Sequence, residues 1–499
     1  MKKIRKRFNN EISIMKKKAY RLLLVFSVFN LMIQASVNHY NDYNIVDFGA
    51  VDNPEINSTA AIQKAIDECS KSGGGKVIVP KGSYLIGTIF LKQNVNLFLA
   101  PEAELLGSTD LSDYSDEVHN PVEAPRFKKC LIYAENENNI SITGYGTING
   151  RGSEENFDHW GERPMMIRFY QCKNILLQNI KLTSSASWNT HLMHCDKVKI
   201  TGIYIHNRMQ GNNDGIDMDG CKQVFISNCI FDTEDDPICG KSTTMDPLED
   251  VVITNCIIRS TCSGFKLGTS SKGVYRNISI SNCIMKDTYR GTIKIICVDG
   301  GIIENVNISD IVMDNVEGPV FIRLGDRGKI YEEAKDQDYS VEGVDAIEGT
   351  PVGVIRDISI SNIRAHVTGK DTAQAGIMIT GVPGHYIENI SLSNIHIIYP
   401  GGGARELANR KVAEDEKRYP EQSFFGELPS YAMFVRHAKD IIFDNIKITY
   451  KEKEERPAFV LDDAINVEFN NIRVMKPASD SPLFVEENTR NIIKDKIRE

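Results

Sequence analysis

The chain carries no excess of positive charge, and it lacks the patterns that mark a disulfide-built or zinc-built protein. Its 58 Lys and Arg against 67 Asp and Glu leave a formal charge of −9, which works against nucleic-acid binding as a main role. The cysteines number 11, an odd count without framework spacing. None stands in a C-x-x-C pair, so neither a disulfide scaffold nor a metal site is expected. Tryptophan is nearly absent, with Trp160 and Trp188 alone. Long apolar runs are missing too, apart from residues 22–33, which are too few to span a bilayer comfortably. No cysteine follows that run, which argues against a bacterial lipoprotein anchor.

What the N-terminus does contain is the order of a secretory signal. Lys16, Lys17, Lys18 and Arg21 precede the apolar run, and Gln34, Ala35 and Ser36 supply small residues suited to cleavage. The expectation is a signal peptide over 1–36, with Met15 as an alternative start. A single domain over 37–499 follows, delivered to the periplasm or outside the cell.

A repeat fills most of the remainder. VFISNCIF (224–231), VVITNCII (251–258) and ISISNCIM (278–285) are successive copies, and Cys229, Cys256 and Cys283 recur 27 residues apart both times. Related segments run from ILLQNIKL (175–182) to VEFNNIRV (467–474). Each reads as a strand, an Asn corner and a second strand, with β-branched residues alternating with polar ones. Such a period predicts an all-β right-handed parallel β-helix, whose core extends one coil at a time. The cysteines then stack inside as small apolar residues. Asn228, Asn255 and Asn282 stack as an amide ladder, and the sequon residues Asn139, Asn277, Asn307 and Asn389 are assigned to the same ladder chemistry. IQKAIDECS (62–70) predicts a short amphipathic helix over the open end of the solenoid. Residues 399–430 break the repeat with Gly401-Gly402-Gly403 and a charged helical patch, and predict a surface loop beside the binding face.

Two acidic motifs interrupt the polar pattern: Asn212-Asn213-Asp214-Gly215-Ile216-Asp217 and Glu234-Asp235-Asp236-Pro237. They lie about one coil apart, so stacking gathers Asp214, Asp235 and Asp236 into one cluster. Packed carboxylates cannot all ionise cheaply, and at least one pKa must rise. A protonated acid beside an ionised base is what glycosidic hydrolysis needs.

These residues resemble the polygalacturonases of glycoside hydrolase family 28. YNIVDFGAV (43–51), GGGKVIVPKGSYLIG (73–87), NVNLFLAPEAELLGS (94–108), GYGTINGRG (144–152) and SSASWNTH (184–191) resemble it as well. The likeness covers roughly residues 43–475. It implies an inverting hydrolase of pectic polysaccharide or oligosaccharide, with Asp235 as general acid and Asp214 with Asp236 activating water. It also implies supporting or substrate-binding roles for Asn212, Asp217 and Lys241. No cofactor, metal, nucleic acid or membrane span is implied, and a monomer is expected. Two positions depart from the family: Ser263 replaces a His, and Thr292 replaces the Arg of an Arg-Ile-Lys triplet that ends here in Lys294.

Arg290, Thr292 and Lys294 alternate in sequence and would share one face of a strand. Arg290 and Lys266 therefore become candidates to hold a uronate together with Lys294. Lys266 in an apolar coil needs a carboxylate partner unless it lies on the solvated face. His191, His194, Arg436, His437 and the two tryptophans are further candidates for sugar contact, each with core packing as the plainer alternative. A lyase on the same fold, needing Ca²⁺ and a basic residue, and a non-catalytic binding protein remain open as rival functions.

Overall fold

A computed structural model describes residues 1–7, 15–20, 41–119, 123–124, 127–329, 351–369, 376–478 and 480–499. The apolar run 22–33 and the expected cleavage residues 34–36 lie outside the described residues. The chain divides into two units, Met1–Asp42 and Tyr43–Glu499. In the first, residues 2–7 and 15–20 are helical, and among the described residues no helix is long and apolar enough to cross a membrane.

The second unit is a right-handed parallel β-helix, its strands joined into one continuous ladder. One sheet positions the site. Its strands are β1 (Met165–Tyr170), β2 (Thr190–Met193), β3 (Ile216–Asp219), β4 (Ile238–Ser242), β5 (Phe265–Ser271), β6 (Ile293–Cys297), β7 (Val320–Leu324), β8 (Ile377–Thr380) and β9 (Met433–Tyr450). Each pairs in parallel with the next. Because side chains alternate across a strand, the register separates two columns. Leu192, Met218, Leu267, Ile295, Ile322, Ile379 and Val435 point inward and are buried. Arg168, His191, Asp217, Cys239, Lys266, Lys294, Phe321, Met378 and Phe434 form the outward column.

The corner asparagines adopt the left-handed backbone that asparagine tolerates better than most residues. Asn179, Asn228, Asn255, Asn282, Asn394 and Asn445 all have φ between 51° and 58°. Where the repeat reads VKITGIYI, Gly202 takes the corner with φ 67°. The amide ladder is loose at Asn255–Asn228 (3.5 Å) and tight at Asn445–Asn394 (2.7 Å). Asn139, Asn277 and Asn389 sit in a second such ladder. Asn307 does not: it stands exposed within a strand spanning Ile302–Val316, and Asn305 holds that coil's corner instead, bonded to Asn277. The sequon pattern cannot distinguish corner from strand.

Cys229, Cys256 and Cys283 are buried in register, with Ile257 N–H donating to Cys229 O and Ile284 N–H to Cys256 O. All eleven cysteines are free and buried. The expected helix forms as α1 (Thr59–Lys71) and buries Ile62, Ala65, Ile66 and Cys69 against the first coils. Ile62 and Ile66 each contribute roughly 1.5–3 kcal/mol by this burial.

The insertion departs from expectation in one respect. Its charged patch is a 3₁₀ turn at Arg405–Asn409 followed by irregular chain rather than an α-helix, with a second 3₁₀ turn at Gln422–Phe425. It closes over the outward column where that column turns apolar. Phe425 and Leu428 pack with Phe321, Met378 and Phe434. Arg323 donates to the main-chain oxygens of Glu414 (2.7 Å) and Asp415 (3.1 Å), and Arg436 to those of Val412 (2.8 Å) and Ala413 (2.9 Å). Buried guanidinium groups need such partners.

Candidate active site

The acidic motifs lie in the turns that enter β3 and β4. Gly215 N–H donates to Asp236 O, and Ile216 pairs with Ile238. Asp236, not Asp235, therefore stacks on Asp214, because this coil is one residue longer than the spacing of Asp214 and Asp235. Ser263 stacks next on Asp236, and its hydroxyl donates to Asp236 Oδ1 at 2.5 Å.

Asp236 also accepts from Lys266 Nζ on Oδ2 at 2.7 Å. Burial pushes its pKa up, but Lys266, then Lys294, and the Lys266 and Ser263 hydrogen bonds outweigh burial and hold it below the carboxylate range. Asp235 is half-buried, and its main-chain oxygen is fixed by Thr233 Oγ1 (2.6 Å) and Ser260 Oγ (2.8 Å). Burial, then the charge on Asp236, raises its pKa. Asp214 is buried with Oδ1 unpartnered. Burial, then Asp217 and Asp235, raises it well above the ordinary value. The arrangement sets one carboxylate held below the ordinary range, Asp236, beside two whose pKa values are raised, Asp235 and Asp214.

Asp217 projects from β3 and is fully buried, 3.4 Å from Lys241 Nζ. Burial raises its pKa to about 7 against the pull of Lys241. Its unfolded value is about 3.9, so between about pH 4 and pH 7 folding takes up a proton. Stability from this group must fall as pH rises through that window and level off above it. Thermal denaturation across the window should show wild type losing a few kcal/mol that Asp217→Asn does not lose. Parallel profiles for the two proteins would contradict the assignment.

Lys241 itself lies over the Trp188 ring at 4.4 Å and 3.5 Å from Glu123. His191 is buried between Arg168 and Asp217 in the outward column, 5.2 Å from Trp188, with both ring nitrogens unpartnered. Burial, then Arg168 and Lys241, keeps it neutral. Asn212 Oδ1 accepts from buried Arg163 (3.0 Å), which positions the first acidic turn.

Several expectations are corrected by this geometry. Arg290 does not share a strand face with Lys294: β6 begins at Ile293, and Gly291 at φ 101° breaks the extended run. Arg290 is exposed, within electrostatic reach of Asp235, Asp236 and Glu421. Thr292 is buried in a turn, bonded to Thr288 Oγ1 (2.8 Å) and Glu317 O (3.1 Å). Lys294 is not open to a ligand, because its ammonium is fully buried against Glu421 Oε2 of the insertion at 2.7 Å. Arg436 anchors the insertion, and His437 bonds Asp463 (2.8 Å) and Glu414 (3.3 Å) instead of facing the aspartates. His194 pairs with Asp246 (3.1 Å), and Trp160 is exposed on an outer loop. Lys266, by contrast, has the carboxylate partner its burial requires.

Glu421, Glu123, Arg163 and Arg168 are site residues without a sequence motif. The apolar turn of the outward column at Phe321, Met378 and Phe434 was the available sign that a cover lies there. Asp235, Asp236 and Cys262 place ligand-type atoms within 4.8 Å of one another. Lys266 already sets a positive charge on Asp236, which works against a metal ion at that spot.

Comparison with known proteins follows the same lines. The profile described as "Glycosyl hydrolases family 28" matches residues 69–415. A probable polygalacturonase of Vitis vinifera is 34% identical over 219 residues, 40% of this chain and 44% of that protein. An exo-poly-alpha-D-galacturonosidase of Dickeya chrysanthemi is 25% identical over 250 residues, 39% of this chain and 41% of that protein. The chain thus spans less than half the length of these curated relatives. An exopolygalacturonase structure from Thermotoga maritima superposes with a TM-score of 0.63 at 22% identity, over 82% of this chain and 92% of that one. At that identity the likeness is one of fold.

Proposed function

The chain belongs to glycosyl hydrolases family 28, and from that premise we propose that it hydrolyses galacturonic-acid-containing pectic polysaccharide or oligosaccharide outside the cytoplasm, with residues 1–36 as the export signal. One observation carries this reading: Asp236, held ionised by Lys266, adjoins Asp235, whose pKa is raised. Asp235 gives its proton to the glycosidic oxygen as the C–O bond breaks. Asp236, paired with Asp214 one coil earlier, takes a proton from the water that attacks the anomeric carbon. Water adds directly, so the configuration inverts and no glycosyl-enzyme forms. The Lys266 ammonium on Asp236 speaks against a Ca²⁺-dependent lyase, which would use these carboxylates as metal ligands.

Incubation with pectic fragments should yield a new reducing end of inverted configuration by proton NMR, and no ultraviolet absorbance from a 4,5-unsaturated uronate. Appearance of that absorbance would replace hydrolysis by elimination.

A further inference from the structure

Each of the three buried lysines at the site is matched by a carboxylate of the chain itself. Lys241 faces Asp217 and Glu123, Lys266 faces Asp236, and Lys294 faces Glu421. Glu123 and Glu421 differ in origin from the two aspartates. Asp217 and Asp236 come from β3 and the turn entering β4, close to the lysines they meet. Glu421 comes from the insertion, 127 residues beyond Lys294. Its neighbours fix it there: Gln422 Nε2 donates to Gly376 O at 2.8 Å, Phe425 packs on Phe321, and Tyr419 OH meets Thr269 Oγ1 at 3.1 Å. A lysine awaiting a ligand carboxylate would face an open cleft. Lys294 is fully buried, and the side chain of Glu421 is 10% exposed. A uronate approaching Lys294 would have to displace Glu421 and leave a second carboxylate buried without its partner, which is strongly unfavourable.

Resting on the hydrolase reading above, we propose that Glu421 is a specificity-determining residue that stands in for a substrate carboxylate, so that the sugar against Lys294 is neutral. The bond cleaved then joins one galacturonate to one neutral sugar. Specificity here is built by repulsion: Glu421 rejects the wrong sugar more than it attracts the right one.

The test compares kcat/KM of the full chain on digalacturonate and on galacturonate–neutral sugar oligosaccharides of either order, read as reducing ends. The mixed linkage in one order should be preferred by at least about tenfold. Glu421→Gln, which keeps the shape and removes the charge, should narrow the ratio to within about threefold by raising turnover of digalacturonate. The wild-type comparison stands even if that variant folds poorly. Equal or better cleavage of digalacturonate by wild type would overturn the proposal and leave the hydrolase reading intact. So would an unchanged ratio in a variant with a native circular dichroism spectrum. Hydrolysis of neither substrate class would overturn the hydrolase reading, and this inference with it.

Discussion

Asp235→Asn is expected to lower kcat on a pectic substrate by about 10²–10⁴-fold, the range a general acid contributes, while thermal stability stays close to wild type. The fold should tolerate the change because the Asp235 main chain, held by Thr233 and Ser260, fixes the turn. The side chain is half-buried, and its burial, then the charge on Asp236, raises its pKa. Asn cannot donate a proton to the leaving oxygen. An aryl galacturonide, whose leaving group needs little protonation, should therefore recover most of the loss. Asp214→Asn should show no such recovery, because its part lies on the water side. Near-full activity of Asp235→Asn on the natural linkage, or equal losses on both substrates, would move the acid to another residue.

Lys266→Met should produce the largest loss of stability, about 3–5 kcal/mol near pH 7, because it strands the buried Asp236 carboxylate. The pH dependence gives the sharper test. In wild type the pKa of Asp236 lies below its unfolded value of about 3.9, so its contribution is present above about pH 4 and is lost as pH falls through the folded pKa. Without Lys266, burial dominates and the carboxyl rises above its unfolded value. The variant should then lose stability as pH rises above about 4, and the gap to wild type should narrow toward acid. Urea midpoints at pH 7 and pH 4.5 measure both effects. Adding Asp236→Asn should restore much of the loss. A deficit below about 1 kcal/mol, or one independent of pH, would mean that the pair is not the buried contact described.

The solenoid was legible because stacking forces like residues to the same offset. Ile and Asn recur at fixed positions of most coils, Cys at one position of three successive coils, and the acids stand out against that pattern. What stayed hidden depends on coil length and on distance along the chain. A coil one residue longer than the aspartate spacing puts Asp236 above Asp214 in place of Asp235. Gly291 ends the extended run that was to carry Arg290. The partner of Lys294 lies in an insertion with no repeat to set its register, so no periodicity pointed to Glu421.

The way Arg323 and Arg436 hold the insertion bears on how this cleft can diversify. Their donors meet main-chain oxygens at residues 412–415, with the Glu414 carboxylate added 2.9 Å from Arg436 and the Phe425 ring 5.1 Å from Arg323. Main-chain oxygens are present whatever residue occupies a position. The path of residues 412–415 is thus largely insulated from their own sequence, while the side chains of Tyr419, Gln422 and Phe425 hold position 421 over Lys294, so residue 421 itself can change type with the path kept. Descendants of such a chain could acquire new substrates by single substitutions at the rim, with the β-helix beneath left untouched.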